Sequence, residues 1–244
     1  MLRRVSRSHG HEKEGYGIVF PMNEGIFFIH AGVIFILTLG ALRLGKEALM
    51  SWIVLQAVLA NLFVIKQMTI FSMQATCSDA FMLGSVLSLN LLQEFFGKDA
   101  AKRAIMFAFL GMASLALLAK IHLSYASASG DWSSDAFQTL FGQSPRLLLA
   151  SLASFFIAQQ CDVRFYSWMK KRFEKLSYVV RISCSLFVSQ AIDTVLFSLL
   201  GLWGLVDNIA SIIVFSFIIK LIIAATATPF TAFAKRLTPA EIKT

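Results

Sequence analysis

Ile212–Ile213–Val214–Phe215–Ser216–Phe217–Ile218–Ile219–Lys220–Leu221–Ile222–Ile223–Ala224–Ala225 is an apolar run with one lysine at its middle. With its flanks it reaches membrane-spanning length, about 20 residues. A charge at mid-bilayer costs roughly 2.5–3.5 kcal/mol on insertion scales. Lys220 lies too far from either end of the run to snorkel readily to an interface. It therefore faces the protein interior and needs an acid from another helix. Three acids qualify: Glu94, Asp162 and Asp193. The reading is a helical bundle built around a polar interior.

The rest of the chain agrees. Of 244 residues, 57% are hydrophobic and only 15% charged, with a mean hydropathy of +0.70. A soluble domain carries about 25% charged residues. The apolar runs are continuous and near 20 residues, whereas a transmembrane barrel needs alternating segments of about ten. The fold class expected is an all-α integral membrane protein. The net charge of +8 is not a nucleic-acid signature here, because the basic residues gather at span ends. Cys77, Cys161 and Cys184 show no metal spacing and read as small apolar residues. No removable signal peptide is expected, and no cofactor or metal.

In order, residues 1–23 read as a polar tail that includes His9 and His11, taken as tail composition. Residues 24–236 read as one transmembrane domain and 237–244 as a C-terminal tail. Seven spans are expected, at about residues 25–42, 49–65, 79–96, 104–123, 147–168, 179–202 and 209–233: six core helices plus one N-terminal helix. Residues 66–77 read as an amphipathic connector and 124–145 as a Ser-, Gly- and Asp-rich loop. Trp52 reads as an interface anchor, and Gly97 as a helix stop. Lys98, Lys102 and Arg103 follow span 3. Lys170, Lys171, Arg172, Lys175 and Arg181 follow span 5, and Lys235, Arg236 and Lys243 follow span 7. Charge bias puts all of these, with Arg43 and Lys46, on the cytoplasmic side. The basic N-terminal tail then lies outside, against that bias.

Polar residues recur at helical spacing inside the spans. Asn90, Gln93 and Glu94 share one face of span 3. Gln159 and Asp162 share a face of span 5, and Gln190 and Asp193 a face of span 6. Lys220 adds a fourth helix, and Asn61 lies near the end of span 2. As helix glue each would contribute little, since interhelical hydrogen bonds average about 0.6 kcal/mol. Together they describe a site for a flat, hydrogen-bonding solute: a carboxylate accepts two parallel N–H bonds, and amides both give and accept. Phe95, Phe96 and Trp203 are available to stack on it. No HExxH, nucleophile elbow or P-loop is present, so the enzyme reading has no footing.

These residues carry a resemblance. Trp52 to Lys66, then Asp79 to Lys98 ending Gln93–Glu94–Phe95–Phe96–Gly97–Lys98, resemble the YhhQ family of queuosine precursor transporters, in the vitamin uptake transporter group. Gln160–Cys161–Asp162–Val163, Ser189–Gln190–Ala191–Ile192–Asp193–Thr194, Ile219–Lys220–Leu221 and Thr228–Pro229–Phe230 continue it. The resemblance implies uptake of 7-deazaguanine precursors of the tRNA base queuosine, among them queuine. The implied fold is a bundle like the substrate-binding subunits of energy-coupling-factor transporters, in a bacterial inner membrane and without their ATPase partners. It implies the lipid bilayer and the base as partners and no nucleic acid; a homo-oligomer stays open. The substrate-binding set expected is Asn61, Asn90, Gln93, Glu94, Gln159, Asp162, Gln190, Asp193 and Lys220. The chain departs from the family pattern with Asn90, Ile182, Ser183 and Ala227, where many members carry aspartate or asparagine. An ATP-driven importer's binding subunit and a structural bundle are the alternatives.

Overall fold

The computed structural model describes residues 20–71, 73–142, 145–204 and 208–237. His9, His11, Asp207 and residues 238–244 lie outside the described residues. The helices are α1 (Phe20–Leu44), α2 (Lys46–Phe63), α3 (Asp79–Phe96), α4 (Lys98–His122), α5 (Ser134–Phe141), α6 (Pro145–Arg172), α7 (Tyr178–Phe197) and α8 (Ile209–Leu237). A π-helical turn, Ser198–Leu202, extends α7.

Long apolar runs give the helices, and glycine separates two pairs of them. Gly45 (φ 108°) divides α1 from α2, and Gly97 (φ 91°) divides α3 from α4. Both sit in a backbone region that side chains rarely adopt. The Gly97 N–H donates to the Gln93 carbonyl at 3.1 Å, closing α3 where the stop was expected.

Four described helices are long and apolar enough to cross a membrane, in α1, α2, α4 and α7 with its π turn. The bent pair α5–α6 makes a fifth if it counts as one span. The protein is thus a helical, multi-pass membrane protein. Seven spans are expected from the sequence; among the described residues α3 and α8 fall outside the helices long and apolar enough to cross.

The centre of the bundle is α3, which packs against α1, α2, α4, α6, α7 and α8. Every residue from 83 to 93 is buried. A helix enclosed on all sides is expected to be apolar all round, yet this stretch holds Ser85, Ser88, Asn90 and Gln93. Close approach is permitted by Gly84, where a Cβ would collide with the Gln56 and Ile34 side chains. Gln56 Nε2 donates to Ser88 Oγ at 3.1 Å, and Ser88 Oγ meets Thr38 Oγ1 at 3.2 Å. Trp52 Nε1 completes this chain by donating to Thr38 Oγ1 at 2.9 Å. The indole N–H is thus spent inside the bundle, in place of the interface expected for it.

Two connectors differ from expectation. Residues 67–76 form an antiparallel hairpin, β1 (Gln67–Ile70) with β2 (Met73–Thr76), in the register Gln67↔Thr76 and Ile70↔Met73. The hairpin satisfies backbone groups that an open connector would leave bare in an apolar setting. Asn23 Nδ2 donates to the Thr69 carbonyl at 3.2 Å, and the Phe71 N–H donates to Glu24 Oε1 at 2.8 Å, tying the hairpin to α1. The stretch expected as a plain loop contains α5. Before α5, the Ser133 N–H and the Ser133 and Ser134 hydroxyls bond Asp131.

Candidate functional site

Three polar levels follow one another along α7. Arg181, Ser185, Ser189 and Asp193 recur every fourth residue and all are buried, so they form a stripe along one face. At 1.5 Å per residue, Asp193 lies about 12 Å beyond Ser185.

The first level joins the ends of α3 and α6 to the start of α7. Glu94 Oε1 accepts from Arg181 Nη2 at 3.1 Å. Glu94 Oε2 meets Lys170 Nζ at 2.8 Å and accepts from the Tyr166 hydroxyl at 2.8 Å. Arg181 also donates from Nη1 to the Leu176 carbonyl at 2.8 Å. Lys170 is half-exposed, so this level is a rim. It corresponds to the end of the bundle where the basic residues converge. Nearby, Gln93 Nε2 donates to the Val163 carbonyl at 2.9 Å and to Ser167 Oγ at 2.7 Å. Arg164, on the same helix as Tyr166 and Lys170, is exposed.

The second level is Asp162, which is completely buried. Its Oδ1 accepts from Ser185 Oγ at 2.6 Å and from Asn90 Nδ2 at 3.4 Å. Its Oδ2 has no partner among the described residues. The same is true of four buried amide oxygens on the same helices: Asn90 Oδ1, Gln93 Oε1, Gln159 Oε1 and Gln190 Oε1. The hydroxyls of Ser85, Ser154 and Thr194 are also buried and unpartnered. Buried polar atoms are normally satisfied, and each exception asks for a reason. Five acceptors without donors on α3, α6 and α7 suit a solute that brings N–H groups.

The third level is the ion pair Lys220 Nζ–Asp193 Oδ2, at 2.9 Å. Of the three acids offered by the sequence, Asp193 is thus the partner of Lys220. Asp79, at the start of α3, lies within electrostatic range of both. Its Oδ2 accepts from the Thr76 N–H at the end of β2, at 3.2 Å.

The predicted residues therefore fall at separate places. Asn90, Gln159, Asp162 and Gln190 share the unsatisfied character of the second level, and Asp193 and Lys220 pair beyond them. Both Glu94 oxygens are already engaged at the rim, and Gln93 is anchored there through its amide nitrogen. Asn61 sits near the opposite end, where Ser151 Oγ donates to its Oδ1 at 3.0 Å and its Nδ2 donates to the Ala57 carbonyl at 3.1 Å. Trp203, considered for stacking, is exposed at 62%. Its carbonyl and that of Leu200 are held by Arg146, which fixes the π turn against α6. Phe95 and Phe96 pack against the core.

Sequence reasoning missed Asp79, Ser185 and Tyr166, and took Arg181 for a loop charge. A fourth acid at the head of a buried span was the available signal for Asp79. Ser185 had none, being one serine among many.

Among known families, residues 76–234 match the one described as "Putative vitamin uptake transporter". The chain is also similar to the "Probable queuosine precursor transporter" of Bacillus subtilis (strain 168). That similarity is 31% identity over 200 residues, covering 80% of this chain and 86% of the relative. No solved structure matches.

Proposed function

The chain belongs to the vitamin uptake transporter family, and from that premise we propose that it is a membrane transporter of queuosine precursors. The direction is import, the membrane is a bacterial cytoplasmic one, and the solute is a 7-deazaguanine base. The observation that carries the solute class is the group of buried acceptors without donors on α3, α6 and α7. A guanine-like ring offers N–H groups at several edges, and a carboxylate flanked by amide oxygens complements them. Asp162 is the central reader, with Asn90, Gln159 and Gln190 beside it. Asp193 and Lys220 close the far side as a charge pair. Glu94 and Gln93 fasten the helix ends that frame the site.

The test is salvage. A bacterial strain unable to make queuosine or to import its precursors receives this chain, and queuosine in its tRNA is measured with bases supplied. Restoration is expected, with Asp162→Asn weakening it at an unchanged membrane level. A wild-type chain present in the membrane that restores nothing with any of the bases would sink the reading.

A further inference from the structure

Among the described residues, three ion pairs answer two of the buried acids. Glu94 faces two cations, Arg181 and Lys170. Lys220 is taken by Asp193. Asp162 has only neutral donors near it: Ser185 and Asn90 reach one oxygen, and the Ser189 hydroxyl lies within range of the carboxylate. Among the described residues it has no ion-pair partner. Asn90, which bonds the other oxygen, has an orphaned oxygen of its own, as do Gln159 on α6 and Gln190 on α7, and none of these neutral amides supplies a counter-charge.

A buried carboxylate without a counter-charge is costly, and its amide neighbours do not supply one. A neutral base satisfies hydrogen bonds here but leaves the negative charge unbalanced. A base carrying an ammonium does both. An alkyl amine holds its proton at neutral pH, as lysine does with a pKa of about 10.4. Within the 7-deazaguanine series, the 7-cyano base is neutral, whereas the 7-aminomethyl base and queuine carry a protonated amine.

We infer that Asp162 is the counter-ion for a protonated amine on the transported base, so that this chain selects amine-bearing 7-deazaguanines over the neutral nitrile. The inference rests on the transport reading above and names the charge of its substrate. The uncommitted oxygen of Asp162 receives the ammonium, and the amide oxygens take ring N–H groups.

The experiment is competition for uptake of radiolabelled 7-aminomethyl-7-deazaguanine into cells carrying the full chain. The unlabelled aminomethyl base should compete at least tenfold better than the 7-cyano base. In Asp162→Asn the ratio should fall to within about threefold, measured on whichever base still enters. Asp131→Asn, in the loop before α5, should keep the wild-type ratio. Equal or better competition by the nitrile in the wild-type chain overturns the inference. So does an Asp162→Asn variant that keeps the full tenfold ratio. If Asp162→Asn fails to reach the membrane, the wild-type ratio decides, supported by comparison of 7-methyl with 7-aminomethyl bases, which differ chiefly in the amine. No uptake of either base by a wild-type chain in the membrane defeats the transporter reading instead, so the two failures are told apart.

Discussion

Glu94 and Asp162 are both acids on buried helices, and the fold treats them in opposite ways. Glu94 has a guanidinium, an ammonium and a phenol on its two oxygens. Asp162 has neutral donors on one oxygen and nothing on the other. Burial of an acid is therefore not in itself a sign of function; what counts is whether its hydrogen-bonding capacity is filled. At the rim the filled carboxylate ties three helix ends together. In the middle, Asp162 keeps one oxygen unfilled among the described residues.

That contrast can be broken most forcefully at the third level. Lys220→Met strips Asp193 of its ammonium inside the bundle. Removing one partner of a buried pair costs about 3–5 kcal/mol. A marked fall in the melting temperature of the purified protein is expected, largely regained in the double variant with Asp193→Asn. A single variant that melts like the wild type would show the pair to be no part of the scaffold.

The rim is tested more gently by Tyr166→Phe, which removes one hydrogen bond of 2.8 Å to Glu94. A loss of about 1 kcal/mol in stability is expected, with the apparent KM for the base unchanged. A shifted KM would move Glu94 into the binding site and erase the distinction between the two levels.

The smallest effect belongs to Asp131, an acid satisfied in water. Hydrogen bonds from Ser134 and Ser133 hold its carboxyl down to about 2. Because the folded value lies below the ordinary 3.8, the stabilisation is complete above that value. It fades as the pH falls towards 2. The melting difference between Asp131→Ala and the wild type should be slight at pH 6 and narrower still at pH 3. A difference that widens on acidification would contradict the sign.

Much of this was legible beforehand where the chemistry is local. Apolar runs gave seven long helices, and Gly97 marked the end of α3 as the preference for positive φ demands. The i, i+3 pairs Gln159–Asp162 and Gln190–Asp193 are buried together, because helical spacing alone places them on one face. Lys220 had to have an acid, and it has one. Periodicity did not reveal that residues 67–76 pair as a hairpin, since four-residue strands are too short to show alternation. It also gave no hint of α5, whose eight residues follow an Asp–Ser turn inside a stretch that reads as loop.

The sequence by itself determined that this chain lives in a membrane, which residues must turn inward, and that Lys220 cannot stand alone. Those conclusions follow from the cost of placing charge and unpaired polar groups in hydrocarbon, which does not depend on how helices are arranged. Only the tertiary structure decided that α3 lies at the centre, that Asp193 and not Glu94 or Asp162 answers Lys220, and that Asp162 is left without a cation. Pairing depends on which helix ends meet, at distances of about 3 Å. Residues 27 apart, as Asp193 and Lys220 are, or 87, as Glu94 and Arg181 are, carry no local record of such a meeting.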